Sequence, residues 1–163
     1  MTYDEWEKTV PQQITSDSVW KSRAYRLALF LADLAWHDVT KLVGDKRTIS
    51  LADQLYRSAG AISADVEEGY SRGTGRDRAR FYEYGLGSAR EARGWYYKGR
   101  HVLGRPVTIH RLALLTEIIR LLLAMVPDQR GQTLHEDPVQ YGKDFDVEQP
   151  ADIGRLLADI PFA

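Results

Sequence analysis

The chain has 163 residues, 22 Lys/Arg against 23 Asp/Glu, a formal net charge of −1, and 44% hydrophobic and 28% charged residues. A chain of this length fits one globular domain that buries about two-thirds of the surface its unfolded form exposes, and the absence of cysteine excludes disulfides, thiolate zinc sites and thiol nucleophiles. The opening MTYDEWEKTVPQQ has no apolar core, so no signal peptide is expected, and the longest apolar run, residues 112–126, is broken by Glu117 and Arg120, each costing about 2.5–3.5 kcal/mol at the centre of a membrane helix; the expectation is a cytoplasmic chain with no membrane partner.

In chain order, residues 1–17 form an acidic leader with Pro11, expected to be loosely held. Residues 18–126 carry the bundle domain. Ser16 or Ser18 is placed to cap a first long helix over 19–43, with Gly44 at the position that commonly turns left-handed. Thr48 or Ser50 caps a second helix over 51–68, where Leu51, Leu55, Ala59, Ile62 and Val66 recur at helical spacing and Gly69 closes the segment. The glycine- and arginine-rich turn 69–75 separates it from a third helix over 76–103, with Asp77 well placed in its first turn. Gly104 ends that helix, Pro106 suits the start of a fourth, and Pro127 is expected to follow its end near Met125. Residues 127–163 are an acidic, proline-containing C-terminal extension, irregular apart from a short apolar helix signal at 152–159. The fold class is therefore all-α: an antiparallel up-down four-helix bundle with an irregular C-terminal extension.

The faces of these helices differ. On the first, Trp20, Leu27, Leu31, Leu34, Ala35 and Leu42 make one apolar face, and Tyr25, Leu29, Trp36 and Val43 extend it past half the circumference, more than a core-facing stripe needs. Either this helix is central and well covered, or part of it is a subunit interface. On the third, Phe81, Gly85, Ser88, Ala92, Trp95, Gly99 and Val102 step by four and three as a seam. Its repeated small residues suggest close approach of a neighbouring helix. Arg90, Arg93, Tyr97 and Arg100 share a different, exposed face.

Arg57-Ser58, Ile62, the Asp65-Val66-Glu67-Glu68-Gly69 helix end, Arg72-Gly73, Arg80-Phe81, Gly87-Ser88 and Glu91 together resemble the four-helix-bundle family of the protein encoded in 23S rRNA intervening sequences. The resemblance reaches over about residues 18–126. It implies assembly as a closed homopentameric ring. Through the related accessory protein of diversity-generating retroelements, it also implies association with nucleic acid and with a reverse transcriptase or other protein partner. Family members usually carry asparagine at the position of Asp65 and alanine at that of Glu67, so an added ion pair is expected here, with Arg57, Arg72 or Arg76 compensating the acids; a divalent-cation site is the alternative.

The net charge hides a polarised chain. From residue 69 to 111 ten basic residues face Asp77, Glu83 and Glu91, whereas from 127 to 163 three basic residues face eight acidic ones. The best candidate functional surface is Arg72, Arg76, Arg78, Arg80, Arg90, Arg93, Tyr97 and Arg100: guanidinium groups fork onto phosphates, and Tyr97 can stack on an unpaired base. The glycines of 73–75 add backbone N–H groups at a helix start, where anions are stabilised. A solvated, internally paired face and small-anion binding are the alternatives, and the acidic tail can fold over this face. An enzyme is not expected. No Glu-x-x-His pair or Gly-x-Ser-x-Gly occurs, the four histidines are scattered, and no cofactor or metal site is read. The expected function is a non-catalytic oligomeric scaffold that binds nucleic acid or a ribonucleoprotein partner through the third helix; the alternative is a structural, protein-interaction oligomer.

Overall fold

Ser22 Oγ accepts the backbone N–H of Tyr25, and this cap starts the first long helix, α3 (Arg23–Leu42). The expected start at residue 19 is instead a 3₁₀ turn, Ser18–Lys21, capped by Asp17. The structure, a computed structural model, describes residues 2–130 and 152–163. After α3 come α4 (Ile49–Tyr70), α5 (Gly75–Leu103) and α6 (Arg105–Arg130), with short helices α1 (Tyr3–Glu7) and α2 (Gln12–Thr15) before them and α7 (Ile153–Ala158) at the C-terminus. The described residues contain no strand, and none of their helices is long and apolar enough to cross a membrane.

The connections are short, so consecutive long helices run antiparallel. The register shows it: Gly99 faces Leu42 and Leu51, Gly85 faces Ile62, Asp65 and Leu122, Gly69 faces Tyr82, and Gly75 lies against Gln129. Numbers fall along α4 and α6 as they rise along α5. The core between the four helices is Leu31, Leu34, Leu42, Leu55, Ile62, Val66, Leu86, Leu114, Leu115, Ile118, Leu122 and Val126. Each such side chain, once buried, contributes about 1.5–3 kcal/mol of transfer free energy.

Several boundaries differ from expectation for physical reasons. Gly69 does not close α4: it is a helical residue whose missing Cβ admits the Tyr82 ring, since a methyl there would sit 2.7 Å from Tyr82 Cε1. Thr48 precedes α4, but its hydroxyl donates to the Leu42 carbonyl at 2.5 Å, tying the connection back to α3 instead of capping. Gly44 is not left-handed. Among the described residues Gly104 alone has positive φ (83°), which lets the chain reverse between α5 and α6 with a single residue. Pro127 lies inside α6, where it removes one N–H from the ladder with a single turn to follow.

The largest departure is at the N-terminus. The leader expected to be loose is docked. Thr2 and Glu5 form a capping box, Trp6 is 2% exposed, and its indole N–H donates to Asp33 at 2.5 Å. Tyr3 and Trp6 pack on Phe30 with ring centroids 5.2 and 5.0 Å apart. Of the residues that extend the apolar face of α3, Tyr25 is buried and Leu29 half-buried. Trp36 and Val43 remain open.

The α4–α5 seam yields a graded test. A methyl on Gly85 would meet Asp65 Cβ at 3.4 Å and the Ile62 carbonyl at 3.5 Å, both ordinary contacts. Gly85→Ala is therefore expected to be neutral or to stabilise by up to ~1 kcal/mol through helix propensity. Gly85→Leu has no room and should lose about 1–3 kcal/mol. Urea midpoints of the two variants check this, and an unchanged leucine variant would place the face in solvent.

Candidate nucleic-acid interface

The eight residues singled out from the sequence fall into two groups along α5. The first surrounds its N-terminus. Thr74 Oγ accepts the Asp77 N–H at 3.2 Å and donates to the Asp77 carboxylate at 2.7 Å, so this helix start is capped from within rather than left open to an anion. Arg72 pairs with Glu68 four residues earlier and lies 4.4 Å over the Phe81 ring. Arg78 Nε donates to the Arg72 carbonyl at 2.8 Å, and its guanidinium sits 5.9 Å from the Tyr70 ring. Both are half-buried and hold the α4–α5 connection together, whereas Arg76 and Arg80 are exposed. Arg80 Nε donates to Tyr84 Oη at 2.7 Å, with its charge 5.7 Å from that ring, and Tyr84 is edge-on to Phe81 at 5.6 Å.

The second group is one helical flank of Arg90, Arg93, Tyr97 and Arg100, at steps of three, four and three. Tyr97 is 50% exposed. Arg100 lies 4.2 Å over its ring and donates to its carbonyl at 2.9 Å, fixing the pair as one stacked unit. Arg90 is exposed, and Arg93 and Arg100 are half-buried. Beside them Lys98 sits 3.9 Å over Trp95, whose indole donates to Glu91 at 3.1 Å. Ten residues of helix, ~15 Å, separate Arg80 from Arg90. The candidate residues thus form two patches. Each includes cations close to rings: Arg72, Arg78 and Arg80 in the first, Lys98 and Arg100 in the second.

The acids near the end of α4 are compensated in part as expected, through Arg72, and in part by other partners. Glu68 takes Arg72, Asp65 accepts from Ser88 Oγ at 3.2 Å, and Arg57 turns to Asp53 at 3.3 Å. Burial pushes the Asp65 carboxyl above its ordinary range, and the Ser88 bond pulls it partly back. Among the described residues no group of three or more His, Asp or Glu is arranged to hold a metal ion.

One polar cluster escaped the sequence reading. Arg111, counted there among the basic residues of the 69–111 stretch, is fully buried with Asp38. Its Nε and Nη2 donate to the two carboxylate oxygens at 2.8 and 3.1 Å, Nη2 also to the Pro161 carbonyl at 3.0 Å, and Nη1 to His110 Nδ1 at 2.9 Å. Tyr96 Oη donates to Asp38 at 2.9 Å. Because a guanidinium only donates, His110 Nδ1 accepts, and its Nε2–H donates to the Leu156 carbonyl at 2.8 Å. Burial, and secondarily the Arg111 charge, lower the His110 pKa to about 4. Burial likewise raises the Tyr96 phenol well above its ordinary value. The signal was present. Asp38 falls in the apolar stripe of Leu31, Leu34 and Leu42, and Arg111 in that of Val107, Leu114, Leu115 and Ile118, so each stripe carries one charge of opposite sign.

Fold and surface together define a four-helix-bundle protein whose distinctive chemistry is arginine stacked on aromatic rings. The family model for the 23S rRNA-intervening sequence protein matches residues 21–123, and the chain belongs to that family. Its fold is similar to that of a Bacteroides thetaiotaomicron protein of unknown function from the S23 ribosomal protein family, with a TM-score of 0.60 and 20% identity over 63% of this chain and 97% of that one. No curated protein matches the chain.

Proposed function

We propose that this protein is a non-catalytic, cytoplasmic, oligomeric scaffold that binds nucleic acid, or a ribonucleoprotein partner, through the arginine-bearing surface of α5. The observation that carries the reading is the density of cation–ring pairs. Five lie between residues 70 and 100, each with its charge within 6 Å of a ring centroid, the range in which the ring face attracts a cation. A guanidinium on a tyrosine offers a flat, charged platform on which an unpaired base stacks while the charge answers the phosphate. Reversing Arg90, Arg93 and Arg100 together to glutamate should abolish retention on single-stranded RNA while leaving the assembly intact. In the parent, three phosphate contacts give a salt slope of about −2, so affinity should fall roughly twenty-fold between 50 and 200 mM salt. Salt-insensitive binding, or none, would refute the nucleic-acid role.

A second reading, an assembly that works through protein contacts alone, is favoured by a separate feature. Trp36 on α3, Val43 just past its end, and Ile49 and Tyr56 on α4 are all 44–60% exposed. Each pair is seven residues apart, and the Trp36 and Tyr56 rings meet at 5.9 Å. This strip is the candidate subunit contact of either reading, for a ring of five chains. Light scattering at micromolar concentration should give a closed oligomer for the parent and smaller species for Trp36→Glu combined with Tyr56→Glu. A monomeric parent would remove the oligomer from both readings.

A further inference from the structure

Residues 152–163 lie on the bundle as a ligand lies in a groove. Asp152 starts α7 by accepting the Gly154 N–H at 3.0 Å. Leu156 and Leu157 pack half-buried against the core, and Ile160 is 9% exposed. Phe162 meets the His37 ring edge-on at 5.6 Å. The two hydrogen bonds from the bundle to the segment, His110 Nε2–H to the Leu156 carbonyl and Arg111 Nη2 to the Pro161 carbonyl, are both accepted by its backbone. The partners belong to α3 (His37) and α6 (His110, Arg111), and α1 borders the segment. Even without it Arg111 keeps both Asp38 oxygens and His110 Nδ1, so the ion pair itself does not depend on the segment. Without the segment these two donors would exchange protein acceptors for water. The segment is the occupant that the two donors hold. The family match ends at residue 123, so that occupant lies outside the family's shared part.

We infer that the α3–α6 groove is a peptide-docking site, that residues 152–163 are its ligand, and that it accepts the same segment from a second copy of the chain. Recognition through backbone carbonyls and three or four apolar side chains reads the segment, not its covalent connection. Residues 131–151 lie between α6 and the segment, and at ~3.3–3.6 Å per residue they reach at most about 70–75 Å. The longest bundle helix, α5 with its 29 residues, spans ~43 Å. A touching neighbour is therefore within reach, and docking within a chain or between chains makes identical contacts, the condition under which segments exchange. This inference does not depend on nucleic-acid binding.

The test uses the full chain in two ways. Leu156→Asp combined with Ile160→Asp evicts the resident segment. If residues 152–163 are a ligand, this variant keeps its helical circular dichroism and binds a labelled synthetic 152–163 peptide saturably. The parent, whose tethered segment competes at an effective concentration on the order of millimolar, should bind the peptide at least ten-fold more weakly. Loss of the helical signal would make the segment part of the folding core, and a folded variant that ignores the peptide would show no docking site; either overturns the inference. For exchange, the cysteine-free background makes disulfide trapping clean. An equal mixture of His37→Cys and Phe162→Cys chains should form a covalent dimer faster than Ser71→Cys mixed with Phe162→Cys. Equal rates, with the double variant of one chain closing on itself, would confine the segment to its own chain and overturn exchange.

Discussion

Replacing Asp38 by alanine is expected to lower folding stability by about 3–5 kcal/mol, a large share of the 5–15 kcal/mol typical of a domain. The size comes from what is left behind. Arg111 is fully buried, and both nitrogens that now meet the carboxylate would face a cavity. The Pro161 carbonyl and His110 Nδ1 would remain as acceptors, but neither carries the countercharge. Tyr96, which donates to the same carboxylate, would lose its partner as well. Asp38→Asn, which keeps one acceptor oxygen, should cost less. Converting the cluster as a unit, with Asp38→Leu, Arg111→Met and Tyr96→Phe, should recover most of the loss, because a well-packed apolar replacement of a buried ion pair is often neutral or better. Urea unfolding of the single and triple variants checks both statements. A single variant within about 1 kcal/mol of the parent would mean that the guanidinium is not desolvated at all.

The cluster also shows where reading the chain by pattern succeeds and where it stops. Helix existence and type followed from period: Leu55, Ala59, Ile62 and Val66 recur at steps of three and four and all are buried. What period does not encode is which residues lie on top of the bundle. The leader is short, acidic and broken by Pro11, a pattern that predicts a loose segment, yet Trp6 docks on Phe30 through a contact between residues far apart in sequence. Charge counts fail for the same reason. Arg111 adds to the local positive total but lends nothing to the surface, because its partner sits 73 residues away. Arg57 and Arg72 spend their charge on Asp53 and Glu68. The arginine–ring pairs were half legible. Arg80 with Tyr84 and Tyr97 with Arg100 stand three or four apart on one helix, whereas Arg72 over Phe81 depends on how the α4–α5 connection turns. The acidic stretch from residue 131 to 151, which can fold over the arginines, lies outside the described residues; residues 152–163 dock on α6 beside α1.

His110 makes this fold acid-sensitive in a defined window. The ring is buried and neutral, with its pKa lowered to about 4, while a histidine in the unfolded chain titrates near 6.5. Between those values the unfolded chain takes up a proton that the folded chain refuses, so the unfolded state binds more protons and stability falls as pH is lowered. The contribution is complete above about pH 6.5, declines through the window and is spent below about pH 4. It totals about 3 kcal/mol at 1.36 kcal/mol per pKa unit. The geometry explains the direction. Protonation would place a hydrogen on Nδ1, where the Arg111 guanidinium already donates, and the added charge would lie in the same dry cluster. His110→Gln, which can still donate to the Leu156 carbonyl, should flatten the dependence between pH 6.5 and 5, where exposed carboxylates remain ionised. Urea midpoints at pH 7, 6 and 5 for the parent and this variant separate the histidine from the acids, and an NMR titration of the ring protons reads its pKa directly. A parent whose stability stays level from pH 7 to 5, or a ring that titrates near 6.5, would show that His110 is not held neutral in the buried cluster.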